Sequence, residues 1–330
     1  MITSEPRLAI VGFGDIAQQH LMAFRALGAS VVASANRSPE KRRQAEQAGI
    51  GYTYVDPLMM VERERPDGIL LTTSALSQFD MVRKMMLCDV PLLIEKPPAL
   101  SFTDWTVLRK QIEARGVPIM VGLNRRHYSV YHRALQYMGG IHSVTSVSVE
   151  WSEDPQKMLD IGHPPEILPA LNFANSIHGL DLLIFFAGIL RNPEIWGRNL
   201  DQFGKSFRWQ MSVHGVTERG VRADFQSNWD APGRWRLLVD AADVRMVSSP
   251  LETATLFIRG RTPKTIDPSP EDQRFKPGFY EQASTFLELV RGKSPGWPTA
   301  SLDEVSADMH LADMLTRACK ESLDLPPNYA

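Results

Sequence analysis

A glycine-rich turn near the start of the chain, between a short apolar run and a helical pattern, constrains the fold more than any other feature. Its sequence, VGFGDIA, places Gly12, Gly14 and Ala17 in the spacing G-x-G-x-x-A. In that spacing the first glycine permits a tight turn, the second lets a pyrophosphate approach the backbone, and the small third residue lets the helix pack closely on the strand. The N–H groups of Asp15 and Ile16 open the helix, where they favour an anion. The turn predicts a dinucleotide-binding βαβ unit.

The residues after the second predicted strand indicate which cofactor is bound. Units of this kind carry an acidic residue about twenty positions after the glycine turn, and it binds the ribose hydroxyls. Here that position is Asn36, followed by Arg37 and Ser38. An asparagine does not repel a 2′-phosphate, a guanidinium pairs with phosphate or stacks on adenine, and a serine donates a hydrogen bond. We expect NADP to be preferred, with NAD as the alternative; Arg37 is otherwise only a solvated surface charge.

The first third of the chain alternates short apolar strands with helical stretches. The predicted strands are residues 8–12, 31–35, 68–72, 91–94 and 118–122. The predicted helices are residues 15–27, a helix opened by the cap Ser38 and by Pro39, residues 77–88, and residues 102–115 with Ser101 as the cap. Strands separated by helices of this length predict a parallel sheet covered on both faces.

The pattern changes after residue 122 to consecutive strands with short turns. Strands are predicted at residues 141–151, 207–216, 220–227, 235–240 and 255–258, helices at 176–187, 280–291 and 302–319, and a proline-rich loop at 154–169. This predicts a large, open, mostly antiparallel sheet with one uncovered face. We therefore expect an α/β chain with a dinucleotide-binding domain at 1–122 and an α+β substrate and assembly domain at 123–330. The C-terminal helices are candidates to pack back on the first domain, and the open face predicts a homodimer or homotetramer.

Composition excludes several classes of protein. The 330 residues carry 36 basic and 38 acidic side chains, a formal charge of −2 that gives no reason to expect a nucleic-acid partner. The longest apolar run, residues 180–190, contains Asp181 and is too short to cross a membrane. The residues before Gly12 include no basic start and no cleavable apolar segment, so we do not expect secretion. Cys88 and Cys319 lack metal-type spacing, so we expect reduced thiols, no metal, and a cytoplasmic location.

Two further segments carry residues suited to chemistry. IEKPPA puts Lys96 at the carboxyl end of a predicted strand, where ligands of such sheets bind. NSIHGLD puts His178 and Asp181 on one face of a helix. The residues alone leave both cases open, because Lys96 can be a solvent-facing terminus and His178 a core histidine satisfied by its aspartate.

The combination of motifs resembles the glucose–fructose oxidoreductase/inositol dehydrogenase (Gfo/Idh/MocA) family. The similar segments are LAIVGFGDIAQQH, TTSALSQ, the tripeptide EKP, GLNRR, IHGLDLL and the late GFYEQASTF. The resemblance implies a Rossmann domain joined to an α/β domain whose open sheet serves in assembly. It also implies oxidation or reduction at a carbon of a sugar or cyclitol.

Carried over position by position, the resemblance assigns roles to individual residues. Lys96 is placed beside the nicotinamide and the reacting hydroxyl, and His178 is the acid/base. The supporting residues are Glu95 and Pro97 at the turn, Asp181 and Asn175 beside the histidine, Thr73 and Ser74 at the cofactor ribose, and, less directly, Asn124 and Arg126 at the junction of the domains.

The chain departs from the family pattern at the histidine. Many members carry D-x-x-x-H, whereas Ala174 stands at the aspartate position, with the uncharged Asn175 beside it. Ser74, Gln78 and Ser176 replace a frequent proline, histidine and glycine. The favoured hypothesis is an NADP(H)-dependent oxidoreductase acting on a sugar, sugar derivative or polyol. The alternatives are a non-catalytic cofactor-binding sensor or scaffold and a redox-neutral enzyme that retains its cofactor.

Overall fold

The computed structural model describes residues 5–200, 207–233, 235–297 and 299–322. In chain order, the elements up to residue 128 are β1 (Arg7–Val11), α1 (Asp15–Ala26), β2 (Ser30–Ala35), α2 (Pro39–Gln47), β3 (Tyr52–Tyr54), α3 (Pro57–Glu64), β4 (Gly68–Leu71), α4 (Ala75–Met85), β5 (Leu92–Glu95), α5 (Phe102–Arg115), β6 (Ile119–Gly122) and the 3-10 turn Asn124–His127.

The remaining elements include most of the strands. In chain order they are α6 (Ser129–Met138), β7 (Val144–Glu150), α7 (Pro155–Asp160), α8 (Ile177–Ala187), β8 (Leu190–Asn199), β9 (Trp209–Thr217), β10 (Arg222–Asn228), β11 (Arg236–Ala241), β12 (Val244–Ser248), β13 (Ala254–Ile258), β14 (Lys264–Ile266), α9 (Pro270–Arg274), α10 (Phe279–Val290) and α11 (Leu302–Glu321). A π-helical turn, Asn172–Ser176, leads directly into α8.

The chain forms two compact units. The first comprises residues 1–128 and 270–301, and the second comprises residues 129–269 and 302–330, so each is built from two stretches of chain. The division at residue 122 expected from the sequence is linear, whereas α9 and α10 are part of the first unit. The physical reason is apolar packing: Phe286, Leu287 and Val290 of α10 are buried in the same core cluster as Leu8 and Phe24.

The first unit has the expected parallel sheet. Its six strands follow the order β3-β2-β1-β4-β5-β6, and all five pairings are parallel. The order reverses between β1 and β4, the point at which ligands bind in open sheets of this kind. Helix starts follow the predicted caps: Ser38 Oγ accepts from the N–H of Lys41, and Ser101 Oγ accepts from the N–H of Asp104. The predicted fold class is confirmed here.

The second unit contains the predicted open, mostly antiparallel sheet. Its eight strands follow the order β14-β13-β12-β11-β7-β10-β9-β8, and only β7 and β10 pair in parallel. Helix α8 contacts β7, and α11 contacts β8 and β9. Residues that point to this covered face are buried, among them Val147, Phe225 and Val239. Residues that alternate with them, such as Ser148 and Leu238, are only half-buried.

The sequence patterns missed several elements, and one prediction was too long. The missed elements are β3, α3, α6, β8, β12, β14 and α9, and residues 141–143 form a 3-10 turn rather than the start of a strand. The predicted loop at 154–169 contains the short helix α7. Within the described residues, no helix has the combination of length and apolar character needed to span a membrane.

Candidate active site

The glycine turn after β1 is held from both sides by neighbouring strand ends. Gly12 has φ +90°, and its N–H donates to the carbonyl oxygen of Ala35 at 2.9 Å. Thr72 Oγ1 donates to the carbonyl oxygen of Gly12 at 2.7 Å. A Cβ on Gly12 would lie 2.7 Å from the carbonyl oxygen of Thr72. Both the backbone conformation and the close approach therefore require glycine here.

Gly14, which precedes α1, borders open space instead. Apart from adjoining backbone, no heavy atom of the described residues lies within 4 Å of the position that a Cβ on Gly14 would occupy. No side chain caps α1, so the N–H groups of Asp15 and Ile16 are not blocked by a cap. Behind them, Ala17 is fully buried. An uncapped helix start beside open space is suited to binding an anion.

These residues line a cleft of about 990 Å³ within the first unit. The turns after β1, β2 and β4 and the region before α3 contribute to it. Of the residues expected to bind the cofactor, those in the cleft are Gly12, Gly14, Asp15, Ile16, Asn36, Arg37, Ser38, Thr73 and Ser74. Glu95, Lys96 and Pro97 are not among its lining residues.

The loop after β2 presents Arg37 and Ser38 to solvent from a fixed backbone. Asn36 is buried, and its Nδ2 donates to Ser34 Oγ at 2.9 Å. Arg42 Nη1 donates to the carbonyl oxygens of Asn36 and Arg37 at 2.7 and 2.9 Å. Arg42 therefore holds the loop, while the side chains of Arg37 and Ser38 remain exposed at the rim of the cleft.

The opposite wall of the cleft carries an ion pair that the sequence patterns did not indicate. Asp56 begins α3, and its Oδ1 accepts from the N–H of Leu58 at 3.0 Å and from Lys84 Nζ at 2.8 Å. The hydrogen bond from Lys84 and the backbone bond from Leu58 lower the pKa of Asp56 below its usual value. Lys84 thereby offsets the charge of a carboxylate that lines the candidate cofactor cleft.

The end of β4 is connected to the end of β5 through Gln78. This side chain is buried, and its Nε2 donates to the carbonyl oxygens of Glu95 and Leu71 at 3.0 and 3.3 Å. Thr73 Oγ1 donates to Gln78 Oε1. Ser74 occupies the position before α4, with its Oγ 2.9 Å from that of Ser77. The glutamine thus ties the turn that lines the cleft to the strand that carries Lys96.

Glu95 is a buried structural carboxylate rather than a solvent-facing one. Its Oε1 lies 2.7 Å from Nε2 of the fully buried His20 on α1, and its Oε2 accepts from the N–H of Lys96 at 3.2 Å. The His20 ring packs on Phe279, with 4.5 Å between ring centroids. A Cβ on Gly122 would lie 3.1 Å from Glu95 Oε1. The pair therefore links α1 to the turn at Lys96.

Lys96 is half-buried at the end of β5, and a cis peptide bond joins it to Pro97. A second lysine, Lys276, lies near the carboxylate of Glu95. Burial lowers the pKa of Lys276, and the charge of Glu95 partly offsets this effect.

Asn124 and Arg126 lie in the 3-10 turn that follows β6, and both are buried. Asn124 Nδ2 donates to the carbonyl oxygen of Pro277 at 3.0 Å, and Trp297 Nε1 donates to the carbonyl oxygen of Arg126 at 2.8 Å. These bonds tie the turn to the returning segment of the first unit. Burial, with the charge of Arg126, lowers the pKa of the neighbouring His127 to about 3.

In the second unit, His178 and Asp181 are both buried on α8. The helix packs closely on the end of β7, because a Cβ on Gly179 would lie 2.6 Å from the Trp151 ring. The ring centroids of His178 and Trp151 are 6.4 Å apart. Trp151 in turn stacks on Trp235 at 4.5 Å with an angle of 11°.

Glu153, which the sequence patterns did not single out, joins this group. It is 6% exposed and follows β7 by three residues. Its Oε1 accepts from Trp151 Nε1 at 2.5 Å and its Oε2 from Asn175 Nδ2 at 2.6 Å. Asn175 lies in the π-helical turn that leads to His178. Within the described residues, no group of three or more His, Cys, Asp or Glu side chains could hold a metal ion.

One protein-family model matches the first part of the chain. The model of the family described as "Oxidoreductase family, NAD-binding Rossmann fold" matches residues 6–123. The match to the Gfo/Idh/MocA oxidoreductase family covers about a third of the chain. The resemblance drawn from the motifs is thus confirmed over the segment that contains the glycine turn and Lys96.

Curated relatives and many solved structures are similar to this chain. D-apiose dehydrogenase from Paraburkholderia graminis is 33% identical over 133 residues, which cover 40% of this chain and 34% of the relative, so the match spans about a third of that protein. A dehydrogenase structure from Chromobacterium violaceum has a TM-score of 0.79 at 15% identity and covers 96% of both chains. Levoglucosan dehydrogenase in complex with NADH and levoglucosan has a TM-score of 0.79 at 12% identity and covers 97% of this chain and 98% of its own. At these identities the structures show that the fold is shared.

Proposed function

We propose that this chain is an NAD(P)-dependent oxidoreductase that transfers a hydride between a nicotinamide cofactor and a secondary alcohol of a sugar, sugar derivative or polyol. The observation that carries the proposal is the cleft at the point where the strand order reverses, lined by an uncapped helix start and by the two glycines of the turn. The similarity to a D-apiose dehydrogenase and to levoglucosan dehydrogenase supports a carbohydrate-like substrate.

The residues of the cleft fit a dinucleotide. Gly14 leaves a space that a Cβ would occupy, beside the N–H groups of Asp15 and Ile16, and this space suits a pyrophosphate. Thr73 and Ser74 offer hydroxyl groups on the ribose side. The exposed Arg37, on a loop held by Arg42, favours NADP over NAD because a guanidinium forms charge-assisted bonds with a 2′-phosphate.

In the proposed reaction the alcohol carbon loses a hydride and its oxygen loses a proton. The bound nicotinamide supplies hydride exchange at its C4 atom. Lys96 stabilises the negative charge that develops on the alcohol oxygen, and an imidazole nitrogen of His178 takes the hydroxyl proton. Glu95 orients the Lys96 turn through its backbone N–H, and Asp181 supports the helix that carries His178. In the reverse direction His178 returns the proton.

Ala174 favours a second candidate, a cofactor-binding sensor or scaffold without catalysis. An alanine at this position neither accepts a hydrogen bond from a substrate hydroxyl nor raises the basicity of the imidazole. The redox-neutral alternative would be shown by turnover of a substrate with no net oxidation or reduction of the retained cofactor.

We also propose a homodimer or homotetramer assembled through the open face of the second sheet. This face carries Leu238, Val247 and the 47% exposed Phe257 around a shallow concavity of about 810 Å³. Arg245 Nε pairs with Asp240 Oδ1 at 2.6 Å on the same face. The face is therefore mixed in polarity, which is the usual composition of interfaces that are not obligate.

The proposed catalytic roles are tested by Lys96→Ala and His178→Ala. Either substitution should reduce turnover by on the order of 100-fold or more, the effect typical of acid–base groups. The His178→Ala variant should bind NADPH with unchanged affinity, since the cofactor cleft is lined by the first unit alone. Wild-type turnover in His178→Ala would remove this residue from the mechanism.

A further inference from the structure

Glu153 occupies a site that no role in the proposed mechanism explains. It is a carboxylate at 6% exposure; its Oε1 accepts an N–H bond from Trp151 and its Oε2 accepts one from Asn175. Burying a carboxylate is costly unless it is hydrogen-bonded, and both oxygens of Glu153 have N–H donors. The donors come from the end of β7 and from the turn before α8. Glu153 therefore connects two elements beside His178.

The bond to Glu153 fixes the orientation of the Asn175 amide. Its Nδ2 donates to the carboxylate, which accepts only, so its Oδ1 must face away from Glu153. Within the described part of the chain, this is the only hydrogen bond of the Asn175 side chain. Asn175 is half-buried, unlike the fully buried Ser176 next to it. Its carbonyl oxygen is thus an oriented, accessible acceptor in the turn before His178.

We propose that Asn175 Oδ1 accepts a hydrogen bond from a substrate hydroxyl and that Glu153 is the positioning residue that orients this amide. The inference rests on the proposed function, which it deepens by naming the group that recognises a neutral polyhydroxylated substrate. The amide oxygen of Asn175 can accept from a hydroxyl of such a substrate. The function of the family aspartate, which is absent at Ala174, is then divided between two other residues. Asn175 supplies the acceptor, and Glu153, after the end of β7, supplies the carboxylate.

The test is a set of variants assayed for turnover of NADPH or NADP with a panel of neutral sugars and polyols. Glu153→Gln frees the amide of Asn175 to rotate, so KM should rise at least 10-fold with a smaller change in kcat. Asn175→Ala removes the acceptor while Trp151 still donates to Glu153, and it should show the same pattern. The matched control is Glu150→Gln on β7, which loses only an exposed ion pair with Arg236 at 3.6 Å and should leave KM unchanged.

A rescue separates orientation from general stability. Ala174→Asp in the Glu153→Gln background restores a carboxylate acceptor one position from Asn175. It should reverse most of the rise in KM without changing the melting temperature. A Glu153→Gln variant with wild-type KM on an active enzyme overturns the inference and leaves the proposed function standing. A wild type that binds NADPH but neither binds nor turns over any sugar or polyol, by calorimetry and by activity, overturns both.

Discussion

We expect the charge of Arg37 to decide between the two nicotinamide cofactors. Arg37→Ala should weaken NADPH binding by about 10- to 100-fold, since a hydrogen bond to a charged group contributes roughly 1.5–3 kcal/mol. Its affinity for NADH should stay as in the wild type. Calorimetric titration of both cofactors measures this difference. The control is Arg43→Ala, an exposed arginine on the neighbouring helix α2 that does not line the cleft. Equal loss for both cofactors, or a wild type that prefers NADH, would contradict the assignment.

His127 should make stability depend on pH. Burial and Arg126 lower its pKa from 6.5 to about 3 in the folded chain, so between these values the unfolded chain binds a proton that the folded chain does not. The free energy of unfolding should therefore fall as pH falls from about 6.5, by up to about 1.4 kcal/mol per pH unit. Urea unfolding at pH 7 and pH 5 measures the loss. In His127→Asn the loss should be smaller, and an identical loss in the variant would show that other groups cause it.

Substitutions at the two glycines of the glycine turn should affect stability and cofactor binding separately. A Cβ on Gly12 meets backbone at 2.7 Å with φ +90°, so Gly12→Ala should lower the free energy of unfolding by roughly 1–3 kcal/mol. A Cβ on Gly14 meets only open space, so Gly14→Ala should melt like the wild type. The added methyl group fills the space beside the helix start, and affinity for NADPH and NADH should fall at least tenfold. Thermal melting and calorimetry measure the two effects, and unchanged binding in Gly14→Ala would place the pyrophosphate elsewhere.

Elements with strong local signals could be predicted from the sequence. Helix α5 (Phe102–Arg115) agrees with its predicted bounds, because Ser101 caps its start and Gly116 ends it in the left-handed region. Strand β8 was missed, because Pro193 and Gly197 interrupt its pattern. Proline is tolerated there because β8 lies at the edge of the sheet. Gly197 is required because a Cβ would lie 2.8 Å from Ala318 on α11.

In the candidate site too, residues with a local sequence signal could be predicted, and residues defined by distant partners could not. The glycine turn and the residues Asn36–Ser38 are local in sequence, and the structure brings them into one cleft. His20 and Glu153 were missed, because each is defined by a partner far along the chain. His20 meets Glu95 75 positions later, and Glu153 meets Asn175 22 positions later. Burial of a charged group is a property of tertiary packing, and the pattern around a single residue does not report it.

For the whole molecule, the open sheet face predicts self-association. Leu238→Glu introduces a charge on β11 within this face and should convert the assembly to monomers, because an unpaired charge at the centre of an interface is costly. Size-exclusion chromatography with light scattering gives the mass. The control is Leu87→Glu in the first unit, at a leucine that is already 70% exposed. A monomeric wild type, or an unchanged mass for Leu238→Glu, would contradict assembly through this face.

For the molecule as a whole, we propose that the cofactor binds in the cleft of the first unit and that the chain catalyses hydride transfer. The most direct measurement is reduction of NADP, followed by nicotinamide absorbance, with a panel of neutral aldoses, anhydro sugars and cyclitols. We expect at least one of these compounds to reduce NADP, with one NADPH formed for each molecule of carbonyl product. The His178→Ala variant should still bind NADP but should not reduce it. Tight binding of NADP by the wild type with no reduction by any member of the panel would contradict the proposed hydride transfer.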